Sequence, residues 1–75
     1  MMRYEVKPVN VNHRGRFWTV LAWDGDRCLG GDHHWLEPWL ADEAKLAYES
    51  GAVQHGAPSR LVQAERSKMI PGRTD

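Results

Sequence analysis

The residues best suited to chemistry lie in one short segment near the middle of the chain. Asp32, His33 and His34 follow one another, and the single cysteine, Cys28, precedes Asp32 by four residues. Imidazole, thiolate and carboxylate groups together are a ligand set that suits zinc. Adjacent histidines on extended backbone point to opposite sides, however, and the spacing matches no zinc finger or ribbon. We therefore expect a polar loop that caps a sheet, with no metal and no cofactor.

A nucleophilic cysteine beside a histidine is the second chemistry that this segment could support. A cysteine one position from the end of an apolar strand is usually a small core residue, and we expect Cys28 to be one. The chain also has no nucleotide-binding or catalytic signature. We therefore predict a non-enzymatic protein without catalytic residues.

The four tryptophans are the feature most relevant to a partner, because tryptophan is enriched in binding hot spots. Trp18 and Trp23 would lie on opposite faces of one strand, and a sheet with one helix covers only one face. Trp35 and Trp39 flank Pro38, where they could brace the start of a helix or form a binding ridge. We predict a protein-binding surface with an acidic helix face that suits a basic partner. Its candidate residues are Trp18, Trp23, Trp39, Asp42, Glu43 and Glu49.

Three strands are expected in the first part of the chain. Charged and apolar residues alternate over residues 3–11, and this pattern predicts a strand. Pro8 removes a backbone donor and the apolar positions then shift phase, which indicates an edge strand with a bulge. Residues 16–23 are apolar on both faces, which predicts a central strand covered on both sides. An Asp-Gly pair then marks a hairpin turn into a third strand at 27–29.

A helix is expected over residues 38–50. Pro38 suits its first turn, and Gly51 suits the position that ends it. The segment 59–66 fits a closing strand, and it fits a second helix capped by Ser59 nearly as well. The apolar face of the first helix would consist of Leu40, Ala44, Ala47 and Tyr48.

These elements predict an α+β fold, with an antiparallel sheet of three or four strands in the order β-β-β-α-β packed with one principal helix. A length of 75 residues suits one domain, 1–75, in which we expect 71–75 to be a frayed tail. The longest apolar run is far shorter than the roughly 20 residues of a membrane span. The first residues lack the apolar stretch of a signal peptide, and a lone cysteine forms no internal disulfide. We therefore expect a cytoplasmic protein.

Charge is balanced overall but unevenly distributed. Ten basic and ten acidic side chains cancel, so no net charge attracts nucleic acid or a membrane. A basic turn and a basic sheet surface nevertheless leave nucleic-acid binding as an alternative function. Three strands followed by a helix, with basic and aromatic residues on the sheet, are similar to the DNA-binding domains at the N-termini of phage integrases. The residues for this alternative are Arg14 and Arg16 of the basic turn, with Arg60 and Arg66, which we expect on the same sheet.

A second resemblance covers most of the chain, residues 3–66. The length, the hairpin and the short alanine-containing helix resemble the small accessory proteins that phages encode, a group that includes anti-CRISPR inhibitors. This resemblance implies a stoichiometric inhibitor of a host protein or defence complex, and it assigns no site residues. The face of the central strand that the helix leaves open would be covered by a second copy, by a target or by the C-terminal segment. We therefore also expect self-association, with a homodimer as its simplest form.

Overall fold

A three-stranded antiparallel sheet and two helices make up residues 2–68, the part of the chain that the computed structural model describes. The predicted α+β class is confirmed. The predicted tail at 71–75 lies outside the described residues. The elements are β1 (Met2–Asn10), a 3-10 turn (Asn12–Arg14), β2 (Arg16–Asp24), β3 (Arg27–Gly30), α1 (Pro38–Ser50) and α2 (Ser59–Lys68).

Strand β2 lies in the centre of the sheet, as predicted, and β1 pairs with it over its whole length without a register shift. Pro8 lies opposite Trp18, whose backbone N–H and C=O bond to Trp35 on the other side of β2. The missing N–H of Pro8 therefore faces the free edge and costs β1 no ladder bond. The edge position of β1 is confirmed and the bulge near Pro8 is wrong. The register shift lies between Ala22 and Trp23, opposite β3.

One face of the sheet, the inner face, packs against α1. Val20 and Ala22 of β2 are almost completely buried there, and Trp18 packs against the same core. Neither helix of residues 2–68 covers the outer face, so the expectation that β2 is covered on both sides is wrong for this part of the chain. The outer face of β2 carries the half-buried side chains of Phe17, Leu21 and Trp23.

Helix α1 packs on the sheet through small side chains. Ala41, Ala44 and Ala47 are fully buried, which lets the helix lie close to the strands. The helix begins at Pro38 and ends before Gly51, whose φ of +80° is the left-handed conformation that favours glycine. Both predicted boundaries are confirmed. Among residues 2–68, neither helix is long and apolar enough to cross a membrane.

The segment 59–66, whose sequence fits both a strand and a helix, lies within helix α2. Val62 is fully buried in the core and Arg66 forms an ion pair with Glu43 of α1, whereas Ala64 between them is exposed. A strand would place all three side chains on one face, but a spacing of four residues places only the first and last on one face of a helix. The closing strand of the β-β-β-α-β order is therefore wrong, and the second helix is confirmed.

The ion pair between Glu43 and Arg66 joins the two helices. Their side chains are only 11% and 12% exposed, respectively. Removing one partner of a buried pair leaves an uncompensated charge, whereas replacing both partners by apolar side chains is often neutral.

We predict that Glu43→Gln or Arg66→Gln alone lowers the free energy of unfolding by about 3 kcal/mol. The double variant Glu43→Leu/Arg66→Met should lose much less than the sum of the single losses, as urea unfolding followed by circular dichroism would measure. Lys68→Gln breaks the exposed pair with Glu65 and serves as the control, with a loss below about 0.5 kcal/mol. Additive losses in the double variant would contradict the prediction.

Candidate functional site

On the side that faces away from β1, the hydrogen-bond ladder of β2 is interrupted in its middle. Trp18 and Trp35 exchange two backbone hydrogen bonds of 2.9 and 2.7 Å, and Ala22 pairs with Gly30 at the end of β3. Between these two points the chain leaves the ladder, so no strand of residues 2–68 pairs with the backbone groups of Val20. A buried backbone N–H or C=O without a partner is costly, and other groups must bond to it.

Side chains take the place of the missing strand. The Val20 N–H donates to Oδ1 of Asp32 over 2.8 Å, and Nε2 of His55 donates to the Val20 carbonyl over 2.7 Å. The ring of His55 is held between Tyr4 and Tyr48, at centroid distances of 5.8 and 5.1 Å. The interrupted edge is thereby closed by one carboxylate and one imidazole.

The Asp32 carboxylate also joins the sheet to α1. Its Oδ1 accepts from the Thr19 hydroxyl over 3.1 Å, and its Oδ2 accepts from Trp35 Nε1 over 3.0 Å and from the Tyr48 hydroxyl over 2.5 Å. Glycine at position 31 makes room for this contact, because a Cβ there would lie 2.5 Å from Thr19 Oγ1. The segment predicted as a polar loop is therefore a polar junction between sheet and helix.

The hydrogen bonds keep this carboxylate ionised. Burial raises the pKa of Asp32, but hydrogen bonds from the Tyr48 hydroxyl, from the backbone of Val20 and His33 and from the Trp35 indole lower it by more, so the pKa lies below 3.8, its ordinary value. Burial and the adjacent Asp32 carboxylate raise the pKa of Tyr48 well above its ordinary value of 10.0. Asp32 is therefore an acceptor for structural donors in this arrangement, and Tyr48 keeps its proton.

The remaining members of the proposed ligand set lie apart from one another. His33 Nε2 lies 2.7 Å from the Ala57 carbonyl, and the exposed His34 packs its ring against Phe17. Cys28 is exposed, so the prediction of a core cysteine is wrong: it lies opposite Trp23, on the face that no described helix covers. Within residues 2–68, no three His, Cys, Asp or Glu side chains are placed to hold a metal ion.

The predicted partner-binding tryptophans lie in three different environments. Trp18 is half-buried and packs against the core under α1, which leaves less of its side chain for the predicted contact with a partner. Trp23 lies on the outer sheet face, where its Nε1 donates to Glu5 over 3.2 Å and the Arg3 guanidinium lies 5.1 Å from its ring. Trp39 lies on α1 and is 45% exposed. The prediction that Trp18 and Trp23 lie on opposite faces of one strand is confirmed.

The predicted acidic residues of α1 divide between its two sides. Glu43 is buried in the ion pair with Arg66, so the prediction that it binds a partner is wrong. The remaining predicted residues of α1 fall on one exposed face, together with a leucine that is 51% exposed. We name this set the acidic α1 face; it consists of Trp39, Asp42, Leu46 and Glu49.

The four arginines of the nucleic-acid alternative do not share a surface of the sheet. Arg14 lies in the 3-10 turn and Arg16 begins β2, and both are exposed. Arg60 and Arg66 lie on α2, and the Arg66 guanidinium is bonded to Glu43. The prediction that Arg60 and Arg66 lie on the sheet is therefore wrong, because the segment that carries them is a helix.

The sequence analysis does not predict the roles of two residues, Asp32 and Leu46. Asp32 was considered only as a metal ligand or a loop residue, and its role depends on donors that come from distant parts of the chain. Leu46 gives a local signal: it lies outside the apolar i, i+4, i+7 stripe of α1 and is seven residues from Trp39. A leucine at that position is expected to face solvent.

Comparison of the chain with protein-family models, curated proteins and solved structures gave no match.

We predict that Asp32→Ala lowers the free energy of unfolding by more than about 3 kcal/mol, because several buried donors lose their acceptor at once. For a domain of this size, that loss corresponds to a melting temperature lower by more than about 12 °C. Asp42→Ala removes an exposed carboxylate and should change the stability by less than about 0.5 kcal/mol. Equal melting temperatures for the two variants would contradict the central role of Asp32.

The stability should also depend on pH at both extremes. The folded pKa of Asp32 is lowered, so its contribution is present above about pH 4 and is lost as the pH falls through the folded value. The folded pKa of Tyr48 is raised, so its contribution is present below about pH 10 and is lost above it. Thermal unfolding between pH 2 and pH 11 would measure both losses. Tyr48→Phe should reduce the alkaline loss, and an unchanged alkaline loss in this variant would exclude Tyr48 as its source.

Proposed function

We propose that this chain is a small non-enzymatic protein-binding module and that the acidic α1 face is its binding surface. The observation that carries this proposal is the exposure of two large apolar side chains on one helix face, Trp39 at 45% and Leu46 at 51%, with two carboxylates beside them. An amphipathic helix that offers such anchors to a groove is a common mode of protein recognition.

The spacing of the face supports a single continuous contact. Its residues occupy positions i, i+3, i+7 and i+10 of α1, which follow one side of a helix with 3.6 residues per turn. The alanines that pack on the sheet lie on the other side. A partner could therefore cover the whole face without disturbing the packing of α1 on the sheet.

The charge of the face indicates the chemistry of the partner. Asp42 and Glu49 are exposed, and the Lys45 ammonium lies 3.9 Å from the Glu49 carboxylate, a weak pair between partly exposed groups. The segment 31–58 as a whole carries five acidic side chains and one basic side chain. A suitable partner has an apolar groove with arginine or lysine at its rim.

The inhibitor role, the cellular location and the alternative of nucleic-acid binding stay predictions. A phage-encoded inhibitor of a host protein or defence complex is compatible with a binding module of this kind, and its support is the resemblance in size and element order alone. The cytoplasmic location stays a prediction, and its support is the single cysteine, which cannot form an internal disulfide. Nucleic-acid binding stays the alternative function, with Arg14, Arg16 and Arg60 as the exposed cations.

We predict that Trp39→Ala or Leu46→Ala abolishes capture of a specific protein from the lysate of the host cell by the immobilised chain. Truncation of a hot-spot side chain costs at least about 2 kcal/mol, a loss of about thirtyfold in affinity. Leu61→Ala on α2 is the matched control, because Leu61 is 45% exposed and lies outside the acidic α1 face. Circular dichroism should show that all three variants fold. Capture that is equal for Trp39→Ala, Leu46→Ala and the control would overturn the assignment of the surface.

A titration with duplex DNA, single-stranded DNA and RNA at low salt tests the alternative. Three phosphate contacts would give a slope of log affinity against log salt of about −2.7 for duplex DNA. Micromolar binding with such a slope, lost in the double variant Arg14→Ala/Arg16→Ala, would replace the protein-binding proposal. We expect no binding that meets these conditions.

A further inference from the structure

Strand β1 forms an edge of the sheet that no other strand of residues 2–68 pairs with. It is nine residues long and pairs with β2 without interruption. The other edge strand, β3, has four residues and a register shift opposite it. A long and regular edge is a template for pairing with a further strand.

The hydrogen bonds of β2 identify which groups of β1 face the free edge. The backbone groups of Trp18 and Val20 point away from β1, toward Trp35 and Asp32. In an antiparallel ladder the residues opposite them point away as well, and Val6 lies opposite Val20. By the same alternation the N–H and C=O of Tyr4 also face the free edge.

The usual protection of an edge is present in only one half of β1. Lysine and proline on an edge strand discourage pairing, and here both occur together at Lys7 and Pro8. Pro8 offers no N–H to the free edge, and its ring would lie between the two strands. Residues 2–6 include neither lysine nor proline. Pairing is therefore expected over this first half of the strand.

We propose that a second copy of this chain pairs with β1 in antiparallel orientation, centred on Tyr4, and that the two sheets join into one sheet of six strands. In this register Arg3 of each copy lies directly opposite Glu5 of the other. The side chains of both residues are on the outer face, where each already contacts Trp23. Opposite charges in such cross-strand positions are favourable.

The neighbouring registers are less favourable for identifiable reasons. A register centred on Glu5 places Glu5 opposite itself and Arg3 opposite Lys7, so every one of these pairs carries like charges. A register centred on Val6 places the Pro8 ring against Tyr4 of the other copy. The charges and the proline together select the register centred on Tyr4.

This dimer does not depend on the proposed function, because it uses the strand edge and leaves the acidic α1 face free. A two-fold axis perpendicular to the joined sheet keeps both copies of α1 on the same side. Failure of the dimer would therefore leave the function of the acidic α1 face unaffected, and the two proposals can be tested separately.

Sedimentation equilibrium of the full chain between about 1 and 100 µM tests the pairing, with any purification tag placed at the C-terminus. We expect a dimer, and we expect Arg3→Glu or Glu5→Arg alone to weaken it by about tenfold, since each change creates two like-charge pairs. The double variant Arg3→Glu/Glu5→Arg restores the opposite pairs and should restore the dimer. Circular dichroism and thermal unfolding of each variant check that the monomer fold is kept.

Amide hydrogen exchange gives a second readout that does not rely on substitution. The amides of Tyr4 and Val6 should become protected as the concentration rises, while the amide of Glu5, which faces β2, should be protected throughout. A monomer at 100 µM would overturn the proposal. A dimer that is insensitive to the single charge reversals, or that leaves the Tyr4 and Val6 amides unprotected, would overturn it as well.

Discussion

The backbone of Val20 imposes the constraint on which the rest of this small fold depends. Its N–H and C=O are buried on the side of β2 that faces away from β1, where no strand of residues 2–68 pairs with them, and Asp32 and His55 bond to them. The same carboxylate accepts a hydrogen bond from the Tyr48 hydroxyl of α1. The side chain that bonds to the Val20 N–H therefore also holds the helix on the sheet. Many domains of comparable size join their elements with a disulfide or a metal ion, and here hydrogen bonds to one ionised side chain join them. The indole of Trp35, which donates to the same carboxylate, is thereby held in the core.

Much of the architecture could be predicted because its causes are local. Alternating residues indicated β1, and residues that are apolar on both faces indicated β2. The Asp-Gly pair indicated the hairpin, and a proline and a glycine marked the two ends of α1. The role of Asp32 could not be predicted, because its partners are up to 16 residues away and meet only when the helix packs on the sheet. The state of residues 59–68 was ambiguous for a related reason: the burial of Val62 against α1 is a tertiary contact.

The candidate binding surface shows how far neighbouring residues of one helix can differ. Asp42 and Glu43 are adjacent acids with similar chemistry, yet one faces solvent and the other is buried against α2. A rotation of about 100° per residue separates them. Composition alone indicated an acidic helix, and the direction of the alanine stripe decides which of its carboxylates a partner could contact. The two tryptophans of the predicted surface differ in the same way: Trp18 of β2 packs against the core, whereas Trp39 of α1 is exposed.

The alanine stripe of α1 has a consequence for how such a chain can change over evolutionary time. Ala41, Ala44 and Ala47 are fully buried, so a larger side chain at any of these positions would push the helix away from the sheet. The residues on the opposite side of the helix touch solvent and can be exchanged with little effect on folding. The residues that hold the fold and the residues that we propose to contact a partner are thus different positions of the same thirteen-residue helix. Substitutions on the exposed side of α1 could therefore change the proposed binding preference one helical turn at a time. The buried alanines would stay the same, because the packing of the helix on the sheet requires them.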